Sequence, residues 1–481
     1  MDDWAVTELQ VDLGVFFCPC IKNTLKLERF NALISFFSFI IFLYFKATCS
    51  NLGTSDGASY HPDPDCVECV KDLIRFLRRD DANHEIRRAL GNIKIVKSDL
   101  LPILREHSNN RELFDVTLRL LVNLTNPELL LFKEELPEDK ETRNYFLQIQ
   151  NHRQGYKEAF VDQELWTVMA KTLGALLKKD WDERLEDDKL IIERILILIR
   201  NVLQVPTNVK REGRTEDDAT VHDQILWVLH QSGIQDLLLY IASSDMEQQY
   251  SLHILEIISL MFREQDPMSL ASANLGRSKA EKDADEEALA KAVRIEEQKQ
   301  MAKVKAKMVS RHSRFGGTYV VKNMKSITDR DLIIQKPLSN VNDVNFDKTK
   351  KGVKKAKNRL APENLDNVRR STLPVRLFLK EFCIEFLHSA YNHLMNVVKD
   401  ALNRQKAQMN DETYYLWAIR FFMMFNRGHE MKLELVSETL SRQTFHFLQQ
   451  QMDNYRDNFE HEKRNRPKYL MWGRRMHLCI R

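Results

Sequence analysis

The sequence is poor in the residues that make tight turns. Only 14 glycines and 12 prolines occur in 481 residues, about half the usual share of both. This shortage excludes a collagen-like chain and argues against sandwiches and barrels, which need many turns. The seven cysteines are too few for a disulfide framework and indicate a reducing compartment. The chain is also longer than one compact core usually allows, so we expect several domains or one elongated array.

The common catalytic templates are missing as well. The sequence contains no GxxxxGK[ST], no GxGxxG and no complete HExxH. Residues 53–57 match GxSxG, but a polar loop follows where a nucleophile elbow requires a helix. Cys66 and Cys69 form a CxxC without the second pair of a structural zinc site, unless Cys18 and Cys20 supply it. We therefore predict a protein without enzymatic activity, cofactor or metal site.

The dominant pattern that is present is helical. In VECVKDLIRFLRR, residues Val70, Leu73, Ile74 and Leu77 recur at the three- and four-residue spacing of one helical face. Apolar segments throughout the rest of the chain repeat this spacing. The predicted fold class is all-α.

Three apolar helical segments are followed by a proline, at Pro127, Pro206 and Pro267. We interpret these prolines as helix stops, because proline lacks the amide and clashes with the preceding turn. The first two segments carry Asn123 and Asn201 in their last turn. The recurring pattern favours a solenoid of armadillo/HEAT-like repeats. A compact helical bundle is the alternative.

Composition divides the chain into an atypical apolar leader (1–46), N-terminal helical repeats (47–267), a charged insert (268–370) and C-terminal helical repeats (371–481). Residues 271–370 hold 24 Lys and Arg against 13 Asp and Glu, although the whole chain has a net charge of only +3. Such a segment buries little apolar surface. We therefore predict a long, basic and partly disordered insert.

The leader contains 16 consecutive uncharged residues at 30–45, slightly fewer than the roughly 20 that span a bilayer. A signal-anchor at this segment would make the protein a membrane-tethered helical adaptor. A buried first helix and sequence from an alternative first exon are the other interpretations.

The basic residues of the insert are the first candidate site. They suit either contact with DNA phosphates through counterion release or recognition by nuclear import factors, and a solvated linker is the alternative. The residues predicted for DNA binding or nuclear import are Arg311, Arg314, Lys348, Lys350, Lys351, Lys354, Lys355, Lys357 and Arg359.

Aromatic residues, most of them in the C-terminal third, are the second candidate site. Helix-spaced aromatics are commonly core residues, but the terminal repeat of a solenoid has an unpaired face that often binds a partner. The residues predicted for partner binding are Phe315, Tyr319, Tyr414, Tyr415, Trp417, Phe421, Phe422, Phe445 and Phe447.

Several long segments, in order along residues 47–477, resemble the N-terminal region of the Timeless family. They include DGASYHPDPDCVECVKDLIRFLRRDD, LFDVTLRLLVNLTNP, DDKLIIERILILIRNVLQVP, RHSRFGGTYVV and DETYYLWAIRFFMMFNR. The resemblance implies a right-handed α-solenoid without catalysis. It also implies a nuclear fork protection scaffold that pairs with Tipin, associates with the replicative helicase, other replisome proteins and double-stranded DNA, and helps Claspin relay the replication checkpoint signal. A circadian role is reported for some members.

The sequence departs from the family pattern at both ends. The apolar leader replaces the short helix with which members begin, and the chain stops after RRMHLCIR, where the family's helix continues into a much longer protein. The chain therefore resembles a truncated form, without the C-terminal region that binds poly(ADP-ribose) polymerase in vertebrate members. On this resemblance we expect residues 414–425 and 444–447 to contact Tipin.

Overall fold

The fold is all-α, as predicted from the helical periodicity. A computed structural model describes residues 45–56, 59–132, 136–137, 139–208, 219–274, 371–404, 412–461 and 466–480, together with short stretches of the insert. Within the insert these stretches are helical residues between 290 and 301 and two strands.

Apart from the helical residues between 290 and 301, the helices lie on either side of the insert, and the last helix before it includes 268–271, the first residues of the predicted insert. Those before it are α1 (Cys66–Arg78), α2 (Glu85–Ile93), α3 (Leu101–Glu106), α4 (Arg111–Thr125), α5 (Glu128–Leu131), α6 (Lys140–Ala159), α7 (Gln163–Leu177), α8 (Glu186–Gln204), α9 (Val221–Gln231), α10 (Ile234–Ser243), α11 (Ser251–Met261) and α12 (Pro267–Ala271). Those after it are α13 (Leu373–Ser389), α14 (Tyr391–Arg404), α15 (Thr413–His429), α16 (Arg442–His461) and α17 (Arg466–Ile480).

Short polar residues determine where many helices begin. The side-chain oxygens of Asn110, Asp139, Asp162, Thr220 and Asp266 each accept hydrogen bonds from backbone N–H groups in the first turn of the next helix. A cap of this kind contributes about 1 kcal/mol, because it satisfies a donor that has no partner inside the helix.

Two of the three predicted proline stops are confirmed, and the third is wrong. Helices α4 and α8 end two residues before Pro127 and Pro206. Helix α11, however, ends six residues before Pro267, and Glu264 between them has a left-handed φ of 65°. Pro267 is the first residue of α12. Proline suits that position because an N–H group there would have no intrahelical partner.

The buried apolar side chains form one continuous cluster from Phe45 to Phe447. Within it α4 packs between α1 and α8, α8 packs on α11, and α11 packs on α14 and α15. Each helix thus contacts its neighbours in turn, which is the packing expected of an array of helical repeats.

Polar side chains, two of them buried, close the C-terminal ends of the apolar helices. Asn201 in α8 donates from its side-chain amide to Thr125 Oγ1 at the end of α4. Lys157 in α6 donates to the carbonyl of Val205, just past α8, and Arg263 donates to the Gln204 carbonyl at 2.8 Å. Cations are favourable there, because the last carbonyls of a helix lack intrahelical donors.

Helices from both sides of the insert share this core. The ring centroid of Phe262, directly after α11, lies 5.9 Å from that of Phe382 in α13 and 5.1 Å from that of Phe421 in α15. Lys380 Nζ in α13 donates to the carbonyl of Ala273 at 2.7 Å. The insert therefore leaves and re-enters the core at neighbouring points.

Two short antiparallel hairpins interrupt the helical pattern. Strand β1 (Gly53–Ser55) pairs with β2 (Tyr60–Pro62), and β3 (Gly317–Val321) pairs with β4 (Leu332–Lys336). The second hairpin lies inside the insert, which was predicted from the sequence to be partly disordered and for which no strands were predicted.

The proposed membrane anchor at 30–45 lies outside the described residues except for Phe45. That residue is buried, with its ring centroid 6.0 Å from that of Phe76 in α1. Within the described part of the chain, none of the helices combines the length and apolarity needed to cross a bilayer.

Candidate functional site

The predicted basic site lies outside the residues that the structure describes. This holds for every Arg and Lys predicted to bind DNA or import factors, and for Phe315. Tyr319 lies in β3, where its backbone is paired opposite Ile334. The DNA-binding and import assignments therefore stay predictions.

The structure corrects the exposure expected for four of the other seven aromatic candidates. Tyr415, Phe421, Phe422 and Phe447 are at most 4% exposed. Phe421 and Phe422 pack against Phe262, and the ring of Tyr415 meets that of Phe447 edge-on at 5.4 Å. Their burial supports the core and removes them from any surface that a partner can touch.

The remaining aromatic candidates keep some exposed surface. Tyr414 and Trp417 are half-buried, and Trp417 stacks on Phe421 with centroids 4.8 Å apart. Phe445 in α16 is 58% exposed. Among the candidates of the C-terminal helices, those that could still contact a partner are therefore Phe445, which is exposed, and Tyr414 and Trp417, which are half-buried.

The start of α16 explains why Phe445 points outward while Phe447 points inward. Ser441 Oγ accepts a hydrogen bond from the Thr444 N–H at 3.2 Å, and Thr444 Oγ1 donates to the Glu438 carbonyl at 2.9 Å. These bonds bury Thr444 and fix the rotation of the helix. Residues two apart lie on nearly opposite sides of a helix, and the buried residues of α16 are Thr444, Phe447 and Tyr455, so Phe445 faces away from the core.

The turn after α15 is equally well fixed. The buried side-chain amide of Asn426 donates to the Lys432 carbonyl at 2.8 Å and accepts from the Lys432 N–H at 3.2 Å. Met431 between them has a left-handed φ of 52° and is among the most exposed apolar residues of this region. An ion pair between Lys432 and Glu430 lies beside it and lowers the pKa of the Glu430 carboxyl.

Side chains of α14 hold the following segment. Asn392 donates to the Glu434 carbonyl and accepts from the Glu438 N–H, both at 3.1 Å. Lys399 forms a buried ion pair with Glu438, and the Tyr391 hydroxyl is 2.6 Å from Thr439 Oγ1. Residues 433–440 are therefore anchored to the helical core by several polar contacts.

Residues 431–452 carry five exposed apolar side chains, which together we term the C-terminal apolar surface. Its members lie between the end of α15 and the middle of α16: Met431, Leu433, Leu440, Phe445 and Met452. Sequence reasoning found only Phe445, because the others stand among polar neighbours and lack a periodic signal. Exposed apolar side chains on a rigid frame are typical of protein-interaction sites.

The N-terminal hairpin holds a serine, a histidine and an aspartate that do not form a catalytic triad. Ser59 Oγ lies 3.1 Å and Asp56 Oδ2 lies 3.2 Å from the same atom, His61 Nε2. A triad needs the hydroxyl and the carboxylate on opposite ring nitrogens. Ser55 of the GxSxG match lies in β1, and no helix follows it directly.

The CxxC cysteines are packing residues. Cys66 is buried at the start of α1, and burial, with smaller contributions from Cys69 and Asp63, raises the pKa of its thiol to about 12. A thiol with this pKa is a poor nucleophile at neutral pH. Among the described residues, no group of three or more His, Cys, Asp or Glu is arranged to hold a metal ion.

Comparison with known proteins identifies relatives over most of the chain. A family model described as Timeless protein matches residues 59–321. The chain is 49% identical to the Protein timeless homolog of Homo sapiens and 48% identical to that of Mus musculus, over 90% of this chain and 36% of each relative. It is 23% identical to the Mating-type switching protein swi1 of Schizosaccharomyces pombe, over 78% of this chain and 38% of that protein. The chain thus spans little more than a third of the length of these relatives.

Proposed function

The chain belongs to the Timeless family, and on that premise we propose that it is a non-enzymatic nuclear scaffold that protects replication forks. In this role it pairs with Tipin, associates with the replicative helicase, Claspin and parental duplex DNA, and supports checkpoint signalling. The observation that carries the proposal is the similarity to the human Protein timeless homolog over 90% of this chain, which corresponds to 36% of that relative. A helical array that holds an apolar surface on a rigid frame suits such a scaffold.

The C-terminal apolar surface is the part of the chain that we assign to Tipin. Leu433 and Phe445 are each about 60% exposed, yet the backbone around them is fixed by Asn426, Asn392 and Thr444. A surface that is ordered before binding loses little conformational entropy on association. Aromatic and aliphatic anchors of this kind carry most of the binding energy in protein interfaces.

Co-expression of the full chain with Tipin tests this assignment. The mass of the purified species, measured by light scattering, should correspond to a 1:1 complex. Leu433→Glu combined with Phe445→Glu should abolish that complex, because it places charges where apolar contact is needed. Leu130→Glu is the matched control, since Leu130 is similarly exposed but lies in α5. A complex that withstands the double substitution would show that Tipin binds elsewhere.

The basic insert is the part that we assign to DNA. Seven Lys and Arg residues lie within 348–359, a density that favours contact with phosphates. Replacing the five lysines between 348 and 355 with glutamate should weaken binding of duplex DNA in an anisotropy titration. It should also flatten the dependence of affinity on salt, since fewer counterions are released. Unchanged affinity would leave nuclear import or a linker as the role of this segment.

A further inference from the structure

A pocket of about 320 Å³ opens between the helices of the N-terminal part, and arginines dominate its lining. They come from four helices: Arg78 ends α1, Arg87 lies in α2, Arg119 in α4 and Arg194 in α8. The apolar side chains of Leu77 and Val122 complete the walls. We call this the arginine pocket.

The positive charge of the arginine pocket is only partly neutralised. Arg194 forms an ion pair with Asp115. Neither Arg78 nor Arg119 has an ion pair with any residue that the structure describes. Burial lowers the pKa of the Arg119 guanidinium below its usual value, and the charges of Arg78 and Arg194 lower it further. An anion in the pocket would relieve this repulsion.

Arg87 adds an independent sign of a missing ligand. It is 8% exposed, and its guanidinium donates to the carbonyl of Asn123 at the end of α4. Its Nε is buried without a hydrogen-bond acceptor in the described part of the chain. The carboxylate of Asp80, whose charge acts on Arg87, accepts instead from the backbone N–H groups of Ile86 and Arg87 at 2.9 and 3.0 Å. A buried donor without an acceptor is uncommon and requires an explanation.

We propose that the arginine pocket binds one oxyanion, a carboxylate or a phosphate, carried on a side chain of an acidic or phosphorylated partner segment. Guanidinium groups bind both anions through paired, charge-assisted hydrogen bonds. The volume lies at the lower end of the range for small-ligand sites, which suits a single side chain. Leu77 and Val122 can pack against the aliphatic part of that side chain.

The surroundings of the pocket favour a protein segment over DNA. Duplex DNA is bound by a stripe of positive charge that follows the phosphates. Here α1 carries charges of both signs, with Lys71 paired to Glu68 and to Glu112 of α4, and with Arg75 paired to Asp72. These carboxylates would repel a phosphate backbone, whereas a single anionic side chain avoids them.

Labelled short peptides that differ at one residue test the proposal with the full chain. That residue is phosphoserine, glutamate or serine, and affinity is measured by fluorescence anisotropy. The phosphoserine or glutamate peptide should bind more tightly than the serine peptide, and whichever is tighter identifies the oxyanion. Arg78→Gln and Arg119→Gln should each weaken that binding by about tenfold, as expected for loss of a charge-assisted hydrogen bond. The peptide affinity of Arg119→Lys should lie between those of the wild type and Arg119→Gln. Lysine keeps the positive charge but lacks the paired N–H donors of the guanidinium group.

Two controls keep the result interpretable. Arg75→Gln removes an exposed arginine of α1 that is already paired and lies outside the pocket, so it should leave peptide affinity unchanged. Arg78 is exposed, so its variant should keep the wild-type thermal unfolding midpoint. Equal affinity for all three peptides would overturn the proposal. So would a loss of duplex DNA binding in Arg78→Gln and Arg119→Gln while peptide binding is unchanged.

Discussion

The side-chain amide of Asn201 in α8 lies 3.2 Å from Oγ1 of Thr125 in α4 and donates a hydrogen bond to it. Both side chains are buried. Thr125 Oγ1 in turn donates to the Leu121 carbonyl at 2.8 Å, and Asn201 also donates to Asn126 Oδ1 at 3.3 Å. The ends of two apolar helices are thus joined by a polar network in which Asn201 and Thr125 are buried.

Asn201→Ala should lower the free energy of unfolding by about 1–3 kcal/mol, because it leaves buried acceptors without a donor. Urea denaturation followed by circular dichroism measures this change. Asn83→Ala, at an exposed position before α2, should change stability by less than about 0.5 kcal/mol. Equal effects of the two substitutions would show that the network contributes nothing.

Breaking the buried ion pair of Arg184 with Glu247 should destabilise the protein more than Asn201→Ala does. Arg184 donates to Glu247 Oε1 at 2.6 Å and to the carbonyls of Leu177 and Lys179 at 3.0 Å each, and both charged side chains are at most 3% exposed. Arg184→Met should therefore destabilise the protein by about 3–5 kcal/mol, since it leaves a buried carboxylate unpaired.

Two further variants check that explanation by the same denaturation measurement. Arg184→Met with Glu247→Leu should recover part of the lost stability, because no charge is then buried. Arg75→Met, which breaks the exposed pair with Asp72, should cost at most about 1 kcal/mol. A double variant less stable than Arg184→Met would argue against the unpaired charge as the cause.

Phe262 should couple the helices before the insert to those after it. Its ring packs on Phe382, Phe421 and Phe422, so Phe262→Ala should cost about 3–5 kcal/mol. The wild-type chain should unfold in a single transition, because one core spans both sides. Calorimetry measures both effects, and Phe445→Ala, at an exposed ring, is the control. Separate transitions in the wild type would contradict a shared core.

Cys66 should react slowly with alkylating reagents at pH 8. Only the thiolate reacts, and a pKa raised to about 12 by burial keeps the thiol protonated far above neutral pH. Cys49 should behave alike, because burial raises its pKa to about 12 as well. Mass spectrometry of alkylated peptides gives the rates, and urea-unfolded protein supplies the fast reference. Alkylation of folded protein at the unfolded rate would contradict the packing role.

Periodicity predicted the helices well, because apolar residues spaced for one face must be buried together. It also placed Asn201 in the last turn of its helix, where the structure has it. It could not separate Phe445 from Phe447, since both follow a short polar segment and the choice depends on the capping contacts of Ser441 and Thr444. Pro267 was misassigned because a proline can equally begin the next helix.

The arginine pocket could not be predicted from the sequence. Arg78 and Arg194 are more than 100 residues apart, and only the packing of α1, α4 and α8 brings their side chains to one opening. The C-terminal apolar surface was found only at its aromatic member for a similar reason. The exposure of Leu433 depends on the hydrogen bond from Asn392, which holds the neighbouring Glu434 against α14. The sequence alone does not show this contact.

Lys380 contacts Ala273, so the core itself holds the two ends of the insert close together. The number of residues between 274 and 371 can therefore change without moving the core. Doubling the length of a connection between fixed ends adds only about 0.6 kcal/mol of closure entropy. A break in the backbone anywhere along this connection would likewise leave the Phe262 contacts in place. The two pieces would then behave as a split protein, held together as a non-covalent heterodimer by the core that they complete for each other.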